Sequence, residues 1–182
     1  MKKWKTLSST YLYKTKFGNL RKDTVQLPSN LVIDDYYVNE FSDWVNAVVI
    51  TDKNQIVLVE QYRHAAGDFF LEIPAGKIEE YETKEVGIMR EVREETGYIS
   101  NKNPILLGEF FVNPSIQDNK ISTYLIIDAV QSDNQELDST EDIQVRLFNF
   151  EDVQKMIHNC TITQLFTVHA IILAKEYLKS NF

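Results

Sequence analysis

Gly76-Lys77-Ile78-Glu79-Glu80-Tyr81-Glu82-Thr83-Lys84-Glu85-Val86-Gly87-Ile88-Met89-Arg90-Glu91-Val92-Arg93-Glu94-Glu95-Thr96-Gly97-Tyr98 is the stretch around which the rest of the chain organises. From Thr83 to Thr96 the apolar positions Val86, Met89 and Val92 recur at helical spacing among charged neighbours. Gly97 is a natural stop, because glycine accepts the left-handed backbone that ends helices. Gly87 inside this helix costs roughly 1 kcal/mol relative to alanine, so that turn is expected to pack closely against a strand. Glu91, Glu94 and Glu95 stand at i, i+3 and i+4 and share one face. Alone they would be an ordinary solvated face. Three like charges repel, however, and something positive is expected among them. A hard divalent cation such as Mg2+ takes oxygen ligands and leaves places for water and phosphate, which suits carboxylates with no His or Cys nearby.

Outward from this helix the elements alternate irregularly. Four segments rich in Val, Ile, Tyr, Thr and Phe, about 8–17, 20–27, 31–40 and 44–51, read as strands separated by turn residues at Gly18-Asn19, Pro28-Ser29-Asn30 and Ser42-Asp43. Asp52-Lys53-Asn54 separates Ala47–Ile50 from Ile56–Val59 as a hairpin would. A short strand at 69–73 precedes Pro74-Ala75-Gly76, and 104–112, 121–129 and 143–149 read as further strands. Helices are expected at 150–158 and 162–179, the latter a core-packing helix through Leu165, Val168, Ile172 and Tyr177. The expected class is α+β or a mixed-sheet α/β sandwich.

With 182 residues and 43% hydrophobic content, the chain has the composition of a globular protein with one main core and a small appendage. No apolar run approaches a membrane span, and the polar Ser8-Ser9-Thr10 follows a short basic start, so no membrane association and a cytoplasmic location are expected. The lone Cys160 has no second thiol for a disulfide or a zinc site. His64, His158 and His169 are scattered and carry no expected role. A net charge of −8 argues against nucleic-acid binding, which needs an excess of Lys and Arg. A small anionic substrate remains compatible with it, since cations and a few arginines can reverse the sign within one pocket.

The quoted stretch resembles the signature of the Nudix hydrolases. That signature runs Gly, five residues, Glu, seven residues, Arg-Glu, an apolar residue, any residue, Glu-Glu, any residue, Gly and an apolar residue. Gly76, Glu82, Arg90, Glu91, Val92, Glu94, Glu95 and Gly97 hold their places, with Tyr98 standing loosely for the last. At roughly one occurrence per fifteen positions for each fixed residue, coincidence is on the order of one in a hundred million. The resemblance implies an α/β/α sandwich, a mixed sheet between helices, with the signature forming a loop, a helix and a second loop that hold metal. It makes Glu91 and Glu95 the principal ligands, Glu94 an additional or water-mediated one and the Ala75 carbonyl a further one, with Mg2+ the first choice and Mn2+ possible. Arg90 and Glu82 would brace the loops. The implied reaction is metal-assisted attack of water on a diphosphate phosphorus.

The flanks resemble the ADP-ribose pyrophosphatase and nucleoside-diphosphate-sugar branch of that family. Val59-Glu60-Gln61-Tyr62-Arg63 and Leu71-Glu72-Ile73-Pro74-Ala75-Gly76 carry the resemblance, which implies that Arg63 reaches the diphosphate or terminal ribose and that Glu72 helps bind substrate. Pro114 lies sixteen residues beyond Tyr98, a spacing that marks the branch, while Ser115 departs from its usual glycine. The loop Glu136-Leu137-Asp138-Ser139-Thr140-Glu141-Asp142 corresponds to an acidic loop in which Glu141 aligns with a metal contact. Ser139 stands where some members carry the base, and serine is not basic near neutral pH. The base is then Glu136, Asp138, Glu141 or Glu94. Residues 1–43 resemble the branch's N-terminal β region, which implies a homodimer, with 44–182 as the Nudix domain. Trp4 falls near an aromatic that stacks on adenine in some relatives. The expected function is therefore hydrolysis of ADP-ribose or a related nucleotide sugar. The alternatives are another Nudix substrate, such as GDP-mannose or a dinucleoside polyphosphate, and a non-catalytic nucleotide-sugar sensor, which the intact glutamate set disfavours.

Overall fold

The structure is a computed structural model in which residues 1–181 are described. The strands are β1 (Lys5–Thr15), β2 (Gly18–Gln26), β3 (Val32–Glu40), β4 (Trp44–Thr51), β5 (Gln55–Arg63), β6 (Asp68–Glu72), β7 (Ala75–Lys77), β8 (Tyr98–Ile99), β9 (Ile105–Phe111), β10 (Lys120–Gln131) and β11 (Ile143–Asn149). The helices are α1 (Lys84–Thr96), α2 (Phe150–His158) and α3 (Leu165–Asn181). By their contacts the residues fall into two units, Met1–Asp43 with Phe110–Ile121, and Trp44–Glu109 with the described chain from Ser122 onward.

In the first unit β1, β2 and β3 form an antiparallel sheet in that order, with β1 exposed along its whole length. Val25 and Val38 are buried, and Asp23 is buried beside Arg21, which also pairs with Glu40. In the second unit the strand order is β11-β5-β4-β10-β8, with β6 on β5, β7 on β4 and β9 on β10. The β4–β5 hairpin turns at Asn54, whose φ of 60° is one that asparagine tolerates, and Val49 faces Val57 across it. Asn119 and Lys120 at the start of β10 bond Ser42 and Asp43 just before β4, while Asp52 after β4 bonds Ala129 near the end of β10. These two central strands therefore run parallel in an otherwise antiparallel sheet.

Alternation along β4 builds two cores. Val45, Ala47 and Val49 pack with Ile88 and Val92 of α1, while Val48 packs with Val153 of α2 and Ala170, Ile171 and Ala174 of α3. The result is the expected α+β sandwich, α1 on one face of a mixed sheet and α2 and α3 on the other. Among the described residues no helix is long and apolar enough to cross a membrane.

Several local expectations differ from what is found. The turn between β1 and β2 falls at Lys16-Phe17, and Gly18-Asn19 open β2. On α1 Val86 is exposed and Ile88 is buried, and on α3 Leu165 and Ile172 are exposed while Thr167, Ala170, Ile171 and Ala174 are buried. α3 begins at Leu165 rather than 162, because the Gln164 side chain accepts the Thr167 N–H while its carbonyl accepts from Val168, which caps the helix there. The segments Ala75–Lys77 and Tyr98–Ile99 pair as short strands that were not expected. Gly87 is buried, and the neighbour for which its missing side chain leaves room is Glu82. A Cβ there would lie 2.9 Å from a Glu82 carboxylate oxygen, so the small residue makes room for that carboxylate.

Candidate active site

The site is built on α1. Thr83 at its N-cap has extended backbone, and its hydroxyl accepts the Val86 N–H at 3.3 Å. Gly97 ends it at φ 73°, its N–H donating to Arg93 O at 2.8 Å. A Cβ at Gly97 would sit 2.3 Å from the Asp133 carbonyl, so glycine is needed both for the turn and for the close approach of the following loop. Ile88 and Val92 fix the opposite face of the helix to the sheet.

Arg90 gathers the N-terminal side of the cluster. Its guanidinium donates to both Glu82 oxygens at 3.0 Å, to Glu91 Oε1 at 3.0 Å, to Glu94 Oε2 at 2.9 Å and to the Lys77 carbonyl at 3.0 Å. All five distances are those of good charge-assisted bonds. The hydrogen bonds from Arg90 hold the Glu82 carboxyl below its usual range, and Glu82 Oε2 also accepts the Glu79 N–H. Arg90 and Glu82 thus tie the loop before α1 to the helix itself.

Glu95 sits in the opposite situation. It is 5% exposed, and its Oε2 accepts the Ala75 N–H at 3.0 Å. Burial pushes its carboxyl up to about 8, against that N–H bond, and the nearby charges of Glu91 and Glu141 push the same way. Burial likewise raises Glu91, against Arg90, with Glu94 and Glu141 adding to the rise. Gly76 leaves the space into which Glu91 reaches: a Cβ there would fall 2.0–2.3 Å from its carboxylate. Beside them Arg63 makes a two-pronged pair with Glu72, Nε to Oε1 at 2.9 Å and Nη2 to Oε2 at 2.6 Å. Glu72 is 3% exposed, whereas Arg63 reaches solvent, and the fields of Glu95 and Glu141 also act on Arg63.

This donor set suits a hard divalent cation. Glu91 and Glu95 are oxygen donors held largely out of water with less cationic compensation than their charge requires, next to the strand β7, kept clear by Gly76. The carboxylates are not drawn to a single point: Arg90 holds Glu91 and Glu94, and among the described residues no group of three or more His, Cys, Asp or Glu is already gathered as a metal cage.

The acidic loop completes the wall. Ser132 and Asp133 N–H groups donate to Gly97 O, Glu136 N–H to Glu94 O at 2.8 Å, and the Gln135 amide to Glu95 O at 2.7 Å and Ile143 O at 3.1 Å. The loop therefore caps carbonyls that the end of α1 leaves open. Glu141 is exposed and its Oε2 accepts the Asp138 N–H at 2.9 Å; Ser139 is also exposed. Gln135 and Arg93, which pairs with Glu136, were not singled out by sequence reasoning. Two other expected site residues belong to the first unit. Trp4 is 50% exposed, with its ring edge-on to Tyr36 at 6.0 Å. Pro114 lines a pocket of about 290 Å³ with Arg21, Tyr36, Phe111 and Gln117.

Residues 42–165 match the NUDIX domain, and residues 4–39 match the nucleoside diphosphate sugar hydrolase N-terminal domain. The chain is 29% identical over 180 residues to an ADP-ribose pyrophosphatase of Bacillus subtilis (strain 168), covering 97% of this chain and 96% of that one. It is 30% identical over 168 residues to the methanol dehydrogenase activator of Bacillus methanolicus, covering 92% and 90%. A crystal structure of an ADP compounds hydrolase superposes with a TM-score of 0.86 at 17% identity, over 99% of this chain and 96% of that one, and so shares its fold.

Proposed function

The chain belongs to the Nudix family, and on that premise we propose that it hydrolyses the pyrophosphate bond of ADP-ribose or a related nucleoside-diphosphate sugar, using Mg2+ and releasing a nucleoside monophosphate and a sugar phosphate. The observation that carries this reading is the pair of undercompensated carboxylates, Glu91 and Glu95, beside the Arg63–Glu72 pair. Glu91, Glu95 and Glu94, with the Ala75 carbonyl and Glu141, would hold the cation. When bound, it supplies charge neutralisation of the phosphoryl oxygens and acidifies a water molecule.

The protein's own groups do the rest. Arg63 binds the diphosphate or the terminal ribose, and Glu72 holds the guanidinium in place with two hydrogen bonds. Arg90 and Glu82 keep the loop and helix in register, so that the donors need not reorganise during reaction. Among the loop carboxylates we assign to Glu141, whose charge acts at Glu91, Glu95 and Arg63, the orienting of the attacking water. Similarity to the Bacillus subtilis ADP-ribose pyrophosphatase over nearly the whole of both chains supports the substrate class. By their resemblance to the branch, Trp4 would stack on the base of the substrate and Pro114 is retained as a substrate-binding residue. The exposed Trp4, Leu7, Tyr11 and Tyr13 on and beside β1 support a homodimer through the N-terminal sheet.

Phosphate release, through a coupling phosphatase, from ADP-ribose, GDP-mannose, UDP-glucose, ADP-glucose, diadenosine polyphosphates and nucleoside triphosphates tests this with Mg2+ or Mn2+. ADP-ribose is expected to be preferred. Equal cleavage of several diphosphate sugars would replace base recognition by diphosphate recognition, and inactivity across the panel would overturn the reading in favour of a sensor.

A further inference from the structure

The acidic loop is anchored by one side chain of its own. Gln135 Nε2 donates to Glu95 O in the last turn of α1 and to Ile143 O, the first residue of β11. An amide nitrogen has two hydrogens, and both are used. One atom therefore joins the front of the loop to its far end and joins both to the backbone of the buried glutamate. Ile143 is itself buried and registered against Gln61 of β5, so the far end is fixed to the sheet. Between these points Leu137 is half-buried and residues 136 and 138–142 are exposed. Glu136 N–H reaches Glu94 O, and the Arg93–Glu136 pair is 3.3 Å long with the Glu136 side chain 61% exposed, a surface pair of small worth. The remaining bonds, Asp138 with Glu141, lie within the loop and give it shape but no address.

We propose that Gln135 is a positioning residue for the hydrolysis, an amide clamp that holds the acidic loop on the C-terminal end of α1 so that Glu141 faces Glu91 and Glu95. This rests on the reading of Glu141 given above. Glutamine suits the task for a chemical reason: two carbonyl oxygens must be satisfied at once, and a carboxylate of the same shape can only repel them.

The test combines kinetics with amide hydrogen exchange on the full chain, for Gln135→Ala, Gln135→Glu, Glu141→Gln and the double variant Gln135→Ala/Glu141→Gln. Gln135→Ala is expected to lower kcat about 10-fold, a usual size for losing an orienting partner, and to leave KM within about twofold because Arg63 is untouched. Exchange of residues 136–142 in the protein without added cation should quicken about 10-fold while α1 keeps its protection. Gln135→Glu should do the same or more. In the Glu141→Gln background the alanine substitution should cost nothing further, since the residue it positions is already disabled. Wild-type kcat in Gln135→Ala, unchanged exchange in the loop, or an equal loss in both backgrounds would overturn the role of Gln135 alone. Full activity in Glu141→Gln would overturn the assignment of Glu141 and this inference with it.

Discussion

The two ends of the glutamate face of α1 carry similar groups in opposite electrostatic states. Toward the N-terminus, Arg90 satisfies Glu82 twice and reaches Glu91, Glu94 and the Lys77 carbonyl, and the carboxyl it grips most strongly is held low. Toward the C-terminus, Glu95 is buried with one N–H as its partner, acidic neighbours surround it, and its carboxyl is pushed up to about 8. The same residue type is thus a structural brace at one end and, at the other, a buried carboxylate without an ion-pair partner among the described residues. What separates them is whether the fold itself supplies a positive charge beside the carboxylate, and the proposed function has a cation supply it at Glu95.

Substitutions can break or sharpen that contrast. The largest effect is expected for Glu95→Gln, which keeps the acceptor for the Ala75 N–H but removes the charge. Turnover should fall at least about 100-fold. Without cation its melting temperature should match wild type or exceed it by about 2 °C, because the fold no longer has to hold a carboxyl whose ionised form burial disfavours. Steady-state kinetics check the first and calorimetric scans with and without Mg2+ the second, and the Mg2+-induced rise expected of wild type should vanish in the variant.

Arg90→Met attacks the other end and should reverse the pattern. Three carboxylates lose their shared partner, so stability should drop by about 3 kcal/mol in urea titrations. Turnover should drop about 30-fold through the loosened loop. A merely catalytic role for Arg90 would leave the urea midpoint in place.

Gly76→Ala separates geometry from charge. Its Cβ must displace the Glu91 carboxylate, the far end of a flexible side chain, so stability should change by less than about 1 kcal/mol while activity falls about 10-fold. Equal losses in both would mean that the backbone, not the carboxylate, gives way. The smallest effect is expected at Tyr81, 98% exposed with φ 68° in the loop that Glu82 closes. Tyr81→Gly should stabilise by about 0.5 kcal/mol, the relief of the left-handed backbone less the entropy of glycine, with activity unchanged.

The helix and its ends were legible because local chemistry decides them: Thr83 caps, Gly97 terminates, and the apolar spacing aims Val92 at the sheet. The first three strands were legible as β-rich runs, but Gly18-Asn19, expected as the turn, open β2, and the turn falls at Lys16-Phe17. β7 and β8 were not, since three and two residues are too few to show alternation and exist only because β4 and β10 lie alongside. Gly87 carried a true signal of close approach, but a one-dimensional pattern cannot say that the Glu82 carboxylate folds back onto that turn. The grouping of Glu91, Glu94 and Glu95 follows from helical spacing. Which of them Arg90 neutralises depends on burial and on the path of the preceding loop, and neither leaves a mark in spacing. Gln135 looked like any polar residue of an acidic loop, and only its two carbonyl partners distinguish it.

Equilibrium binding of Mn2+, followed by the loss of its free electron paramagnetic resonance signal, tests most directly the claim that the C-terminal end of α1 takes its positive charge from solution. The wild-type chain should take up the ion and the Glu95→Gln variant should bind it at least about 10-fold more weakly; equal uptake by the two would contradict the assignment of Glu95 as the site's buried ligand.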